Sequence, residues 1–89
     1  MPNTKSAAKR ARQIKVRTAR NRRYKSMIKT SIRRFEEALQ SGDLESSKIR
    51  LIAAIRQIDK AAAKGVVHKN NAARKKSRLT RLYNKHAAS

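Results

Sequence analysis

The chain has no cysteine, no tryptophan, one proline (Pro2) and two glycines among its 89 residues. Without cysteine there is no disulfide framework, no thiolate metal site and no cysteine nucleophile, an absence that fits a reducing compartment. Acid is nearly as scarce, with five Asp and Glu against 25 Lys and Arg, for a formal charge of +20. A small domain stays soluble at a net charge of about 2–8, so self-repulsion on this scale must be met by a polyanion or leave the chain partly open. Leu, Ile, Val and Phe supply only 16 of the 89 residues, enough to build a core from part of the chain but not all of it. The longest apolar run is Leu51-Ile52-Ala53-Ala54-Ile55, far short of the roughly 20 residues that span a bilayer, and the start lacks the apolar stretch of a secretory signal. Neither membrane insertion nor secretion is expected. The acid-free, Arg-rich start resembles a mitochondrial transit peptide, but the C-terminal third is equally basic, so the charge is not a local tag.

What is present is organised in three blocks. All five acids (Glu36, Glu37, Asp43, Glu45, Asp59) lie between positions 36 and 59, whereas residues 1–35 hold 13 basic residues and residues 60–89 hold nine, with no acid in either block. The chain reads basic, near-neutral, basic, and like-charge blocks of this kind are solvated tails or nucleic-acid arms.

Ala, Lys, Arg, Leu, Glu and Gln dominate, so helix is the regular structure the composition supports. Gly42 and Gly65 each follow a helical stretch at a place suited to a left-handed C-terminal cap, and two breaks make three helices. The first is expected from about Thr4 to Ser41, the second from an Asp43 N-cap to Lys64, and the third from His68 or Lys69 to the late eighties. Tyr24, Ile28, Ile32, Phe35 and Leu39 recur at helical spacing, as do Leu44, Leu51, Ile55, Ile58 and Ala62, with Ile49 and Ile52 widening the second stripe. These two segments should form an antiparallel hairpin, closed into a bundle by Ala72, Leu79, Leu82, Tyr83 and His86 of the third. The expected fold is all-α: a three-helix bundle in a single domain spanning 1–89. Its first helix, about 55 Å long at 1.5 Å per residue, would protrude beyond 30 Å partners, leaving residues 1–23 as a basic overhang on a 24–89 bundle.

The overhang carries Lys5, Lys9, Arg10, Arg12, Lys15, Arg17, Arg20, Arg22 and Arg23. At about 100° per residue these cover roughly two-thirds of the helix circumference, and without acids they repel one another at i,i+3 and i,i+4 spacing. A helix cationic almost all round suits insertion among phosphates of more than one strand, and Lys25 extends the set. On the third helix Arg74, Arg78, Arg81 and Lys85 fall within about 60° of one another, opposite the packing stripe. Arginine forks grip phosphate oxygens in pairs, and Lys69, Lys75 and Lys76 would act as nearby point charges.

Nothing supports catalysis or a cofactor. The serines sit in no nucleophile motif, no Gly-rich phosphate loop exists, and adjacent Glu36 and Glu37 point about 100° apart rather than pairing. His68 and His86 have no acidic neighbour on the third helix with which to build a metal site. No small-molecule substrate is expected. The aromatics Tyr24, Phe35 and Tyr83 all lie on packing stripes, so stacking on splayed bases is not the expected mode, leaving backbone and shape recognition. A membrane surface is disfavoured because the overhang has no Trp, Phe or Leu face, and no helix-turn-helix or basic-zipper pattern follows the basic arm.

The stretch Gly65-Val66-Val67-His68-Lys69-Asn70-Asn71-Ala72-Ala73-Arg74-Lys75-Lys76-Ser77-Arg78-Leu79 closely resembles the signature of the bacterial small-subunit ribosomal protein S20 family. The opening Asn3 to Gln13 and the Gly42-Asp43 turn resemble it too, so the likeness covers the whole chain. It implies a three-helix bundle that binds 16S ribosomal RNA directly during small-subunit assembly, chiefly in the 5′ domain, with contact to the long helix near the 3′ end. Other small-subunit components would be neighbours, in a cytoplasmic ribosome, bacterial or organellar. Lys5, Lys9, Arg10 and Arg12 are carried over from the opening match, and His68, Lys69, Asn70, Arg74, Lys75, Ser77 and Arg78 from the second. Lys15, Arg17, Arg20, Arg22, Arg23, Lys25 and Arg81 rest on charge placement. Pro2 stands in place of the usual small residue, and Asn71 where lysine is common, which removes a phosphate contact there. A non-specific DNA-compacting protein is the competing reading, and a cationic membrane-active peptide a more distant one.

Overall fold

The computed structural model describes residues 4–88, with side chains from Ser6 to Ala88. It contains three helices: α1 (Thr4–Gln40), α2 (Leu44–Ala63) and α3 (Lys69–Ala88). Both connections are built as the glycines require. Gly42 and Gly65 have φ of 81° and 74°, the left-handed region that a side chain would strain. At the second turn Val66 N–H donates to Ala61 O (2.9 Å) and Gly65 N–H to Ala62 O (3.1 Å), the paired bonds of a Schellman cap. Asp43 caps α2, its side chain accepting from Ser46 N–H at 3.0 Å. That hydrogen bond closes one of the orphan donors at the helix start.

The up-down-up order leaves α1 and α3 parallel, each packed on α2 between them. The core is formed by Ile28, Phe35 and Leu39 of α1, Leu51, Ala54, Ile58 and Ala61 of α2, and Ala72 and Leu79 of α3. Tyr24, Ile32, Ile55, Val66, Val67, Leu82 and Tyr83 pack around it half-buried. Alanine at the seam brings helix axes close and buries little area per residue, so the core is thin.

The second helix is rotated from its sequence-based expectation. Its fully inward face is Ser47, Leu51, Ala54, Ile58 and Ala61, whereas Leu44, Ile49 and Ile52 stand exposed, Ile49 by 64%. Small residues win the inward positions because they allow close approach. Ser47 does so without an unmet hydroxyl, which donates to Asp43 O at 2.7 Å. His86, expected on the packing stripe, is exposed, with Nδ1 3.0 Å from Leu82 O.

Every described side chain from Ser6 to Arg20 is exposed, and packing begins at Asn21 and Tyr24. The Cα radius of gyration is 17.8 Å, against about 12 Å for a compact chain of this length. The longest dimension is 67 Å. The first helix therefore protrudes well past the bundle.

Candidate nucleic-acid interface

Three cationic surfaces result from this packing. The first is the free part of α1, where Lys9, Arg10, Arg12, Lys15, Arg17 and Arg20 are all exposed. The Lys5 side chain lies outside the described residues. Where the helix leaves the bundle, Arg20 Nη2 donates to the carbonyl of Lys64 at 3.4 Å. Lys64 is the C-cap of α2, so this guanidinium sits at the negative end of a helix dipole and ties the arm to the bundle.

The second surface is a cleft between the parallel helices α1 and α3, of about 490 Å³. It opens because α3 packs on α2 rather than on α1. Exposed Lys25 and Lys29 line it from α1 and exposed Arg74, Lys75 and Arg78 from α3, and the less exposed Ile28, Ile32 and Val67, with Asn71, complete the lining. No lining residue is acidic. Lys25 and Lys29 are one helical turn apart, about 6 Å along α1, as are Arg74 and Arg78 along α3. Five cations converging on a concave surface raise one another's field, and an anion placed there relieves the repulsion.

The third surface is the opposite flank of α1. There Arg20 and Arg23 share a groove with Tyr24, Met27, Gln57 and Lys60, and Arg23 and Arg34 line its continuation. Arg22 is exposed on α1 between these flanks.

The beginning of α3 differs from that of α2 in a way that bears on anions. Helix α2 has Glu45 in its first turn and Lys60 in its last, the arrangement that complements a helix dipole. Helix α3 has no acid in its first turn and begins with exposed Lys69 and Asn70 after His68. His68 serves as its cap: Nδ1 accepts from Asn70 N–H at 3.1 Å, and its carbonyl accepts from Ala72 N–H at 3.0 Å. Lys69 adds positive charge at the positive end of the α3 dipole, an arrangement that favours a nearby anion.

Of the sequence-derived residues, the cleft brings together Lys25, Arg74, Lys75 and Arg78. It adds Lys29, which apolar periodicity passes over; its spacing of four from Lys25, flanking Ile28 and Ile32, is the signal that finds it. Ser77 and Arg81 are exposed on α3 outside the cleft. Lys76 departs from its expected role as a free point charge: Nζ lies 2.8 Å from Asp59 Oδ1, tying α3 to α2. A second ion pair, Arg33 with Glu37 at 3.9 Å within α1, is largely exposed.

Among the described residues no group of three or more His, Cys, Asp or Glu side chains could hold a metal ion. No helix among them is long and apolar enough to cross a membrane.

The family model described as Ribosomal protein S20 matches residues 2–84. A protein of Pelotomaculum thermopropionicum named small ribosomal subunit protein bS20 is 58% identical over 96% of this chain and 97% of its own length. Its namesake from Natranaerobius thermophilus is 56% identical over 94% and 96% of the two chains, and that of Heliobacterium modesticaldum 49% identical over 96% and 97%.

Proposed function

Because the chain belongs to the ribosomal protein S20 family, a structural family and not an enzyme, we propose that it is a component of the small ribosomal subunit that clamps folded 16S ribosomal RNA electrostatically. The observation that carries this is the acid-free cleft of Lys25, Lys29, Arg74, Lys75 and Arg78, joined to an arm on which every side chain from Ser6 to Arg20 is exposed. The chain acts as one domain: the bundle of residues 24–89 is a wedge, and the arm of residues 1–23 reaches between neighbouring RNA helices. Phosphates of separate strands are bridged by α1 and α3, lowering their mutual repulsion and fixing the angle between them. No bond is made or broken.

The resemblance of Gly65–Leu79 to the family signature directs this grip to the 5′ domain, with the long helix near the 3′ end as a further contact. The full set of contacts comprises Lys5, Lys9, Arg10, Arg12, Lys15, Arg17, Arg20, Arg22, Arg23 and Lys25 from α1. The turn and α3 contribute His68, Lys69, Asn70, Arg74, Lys75, Ser77, Arg78 and Arg81, and Lys29 joins them. Neutralising about ten phosphates on duplex-like RNA gives a log–log salt slope of roughly −9 by the duplex-DNA rule.

The test is incorporation of the full chain into small subunits reconstituted from 16S ribosomal RNA and the remaining small-subunit proteins. Saturable binding at one copy per particle is expected. Unsaturable coating of particles and free duplex DNA alike would leave the DNA-compacting reading in its place.

A further inference from the structure

We propose that the cleft between α1 and α3 receives one unpaired nucleotide of the RNA, its base seated on the apolar floor and its flanking phosphates held by the two cationic walls. This rests on the RNA-binding reading above and names what that site takes. A phosphate rail needs only cations on an open surface, which the free arm of α1 already supplies. The cleft is built differently. It is concave, with buried Ile28 and half-buried Ile32 and Val67 between the walls. A phosphate pressed onto that floor would lose hydration without gaining a partner. A base turned out of its stack gains there, because its flat face is apolar and proteins that receive such bases hold them against apolar side chains.

The walls bracket this floor. Lys25 and Lys29 on α1 face Arg74, Lys75 and Arg78 on α3, so charge is available on either side of a seated base for the phosphates that precede and follow it. Asn71 is the one lining residue with a neutral polar side chain. Its amide offers donor and acceptor together, the pair that matches a base edge. The floor is held in place by backbone geometry: Val67 follows directly on the Schellman turn, where Gly65 at φ 74° and the Val66 N–H to Ala61 O bond of 2.9 Å fix the chain. A volume of about 490 Å³ suits a single nucleotide.

The experiment titrates labelled 16S 5′-domain RNA with the full-length chain and with Asn71→Ala, Val67→Ser and Lys29→Gln variants. Helicity is checked by circular dichroism, and base reactivity of the RNA by chemical probing. The native protein should protect the pairing edge of one unpaired base, and Asn71→Ala should restore that reactivity. Asn71→Ala and Val67→Ser should each weaken binding about tenfold, as expected for a lost base contact, with the salt slope unchanged. Lys29→Gln should instead reduce the slope by about 1. If the native chain prefers the fragment over scrambled RNA but both cleft variants bind as tightly and no base is protected, the cleft is only a phosphate rail and the proposal fails alone. If the native chain shows no preference, the ribosomal reading fails with it.

Discussion

The arm of α1 and the bundle below it should open with very different free energies. From Ser6 to Arg20 each helical residue is exposed, so apart from the Arg20 bond to the Lys64 carbonyl at its base the arm has only its own backbone bonds and side-chain neighbours to stabilise it, and isolated helices of this length are marginal in water. Lys9/Arg12, Arg12/Lys15, Arg17/Arg20 and Arg20/Arg23 are like-charge pairs at i,i+3, together unfavourable by about 1–2 kcal/mol. The bundle, at ordinary stability per residue, opens globally at about 3–10 kcal/mol. Amide hydrogen exchange of the free full-length chain at low salt should therefore show protection at least about a hundredfold greater for residues 28–39 than for residues 9–20. Salt then separates two effects of the same charges. At 1 M the screening length falls to about 3 Å, shorter than the spacing of the paired side chains, so protection of the arm should rise while RNA affinity falls. Equal protection of both segments at low salt, or an arm indifferent to salt, would refute the assignment of its instability to uncompensated charge.

Replacing both Arg74 and Arg78 by Gln should leave the circular dichroism spectrum unchanged, since both are exposed, and lower the salt slope of RNA binding by about 2. Lys76→Ala should leave the RNA titration within about twofold of native and cost less than about 1 kcal/mol in urea unfolding, because its partner Asp59 is half exposed. Phe35→Ala, at a residue with no exposure, should destabilise by about 3–5 kcal/mol, enough in so thin a core to lower the thermal midpoint sharply. Ala54→Leu, also at a position without exposure, should cost about 1–3 kcal/mol by forcing α2 away from its neighbours, read as a lower urea midpoint.

The three helices and both turns were legible in the sequence because glycine, capping aspartate and helix-forming composition all agree locally. The inward face of α2 was less so. Apolar spacing counts Ile49 and Ile52 as core and cannot see that Ala54, Ala61 and Ser47, small and weak in hydropathy, suit a close helix approach better. The cationic arm was legible from charge alone, since nothing there competes to bury it. The cleft was not, because it exists only through the choice of α3 to pack on α2, which leaves a gap beside Ile28 and Ile32. Sequence distance hid the pairing of Lys25 and Lys29 with Arg74, Lys75 and Arg78, and it hid equally that Lys76 faces Asp59.

The most direct measurement of the central claim is a competition titration at near-physiological salt. Labelled 16S 5′-domain RNA bound by the full-length chain is challenged with excess duplex DNA and with scrambled RNA of the same length. Retention of the 5′-domain complex against both, with a salt slope near −9, is the expected result. Equal displacement by either competitor would contradict a specific clamp and leave a polycation that binds any nucleic acid.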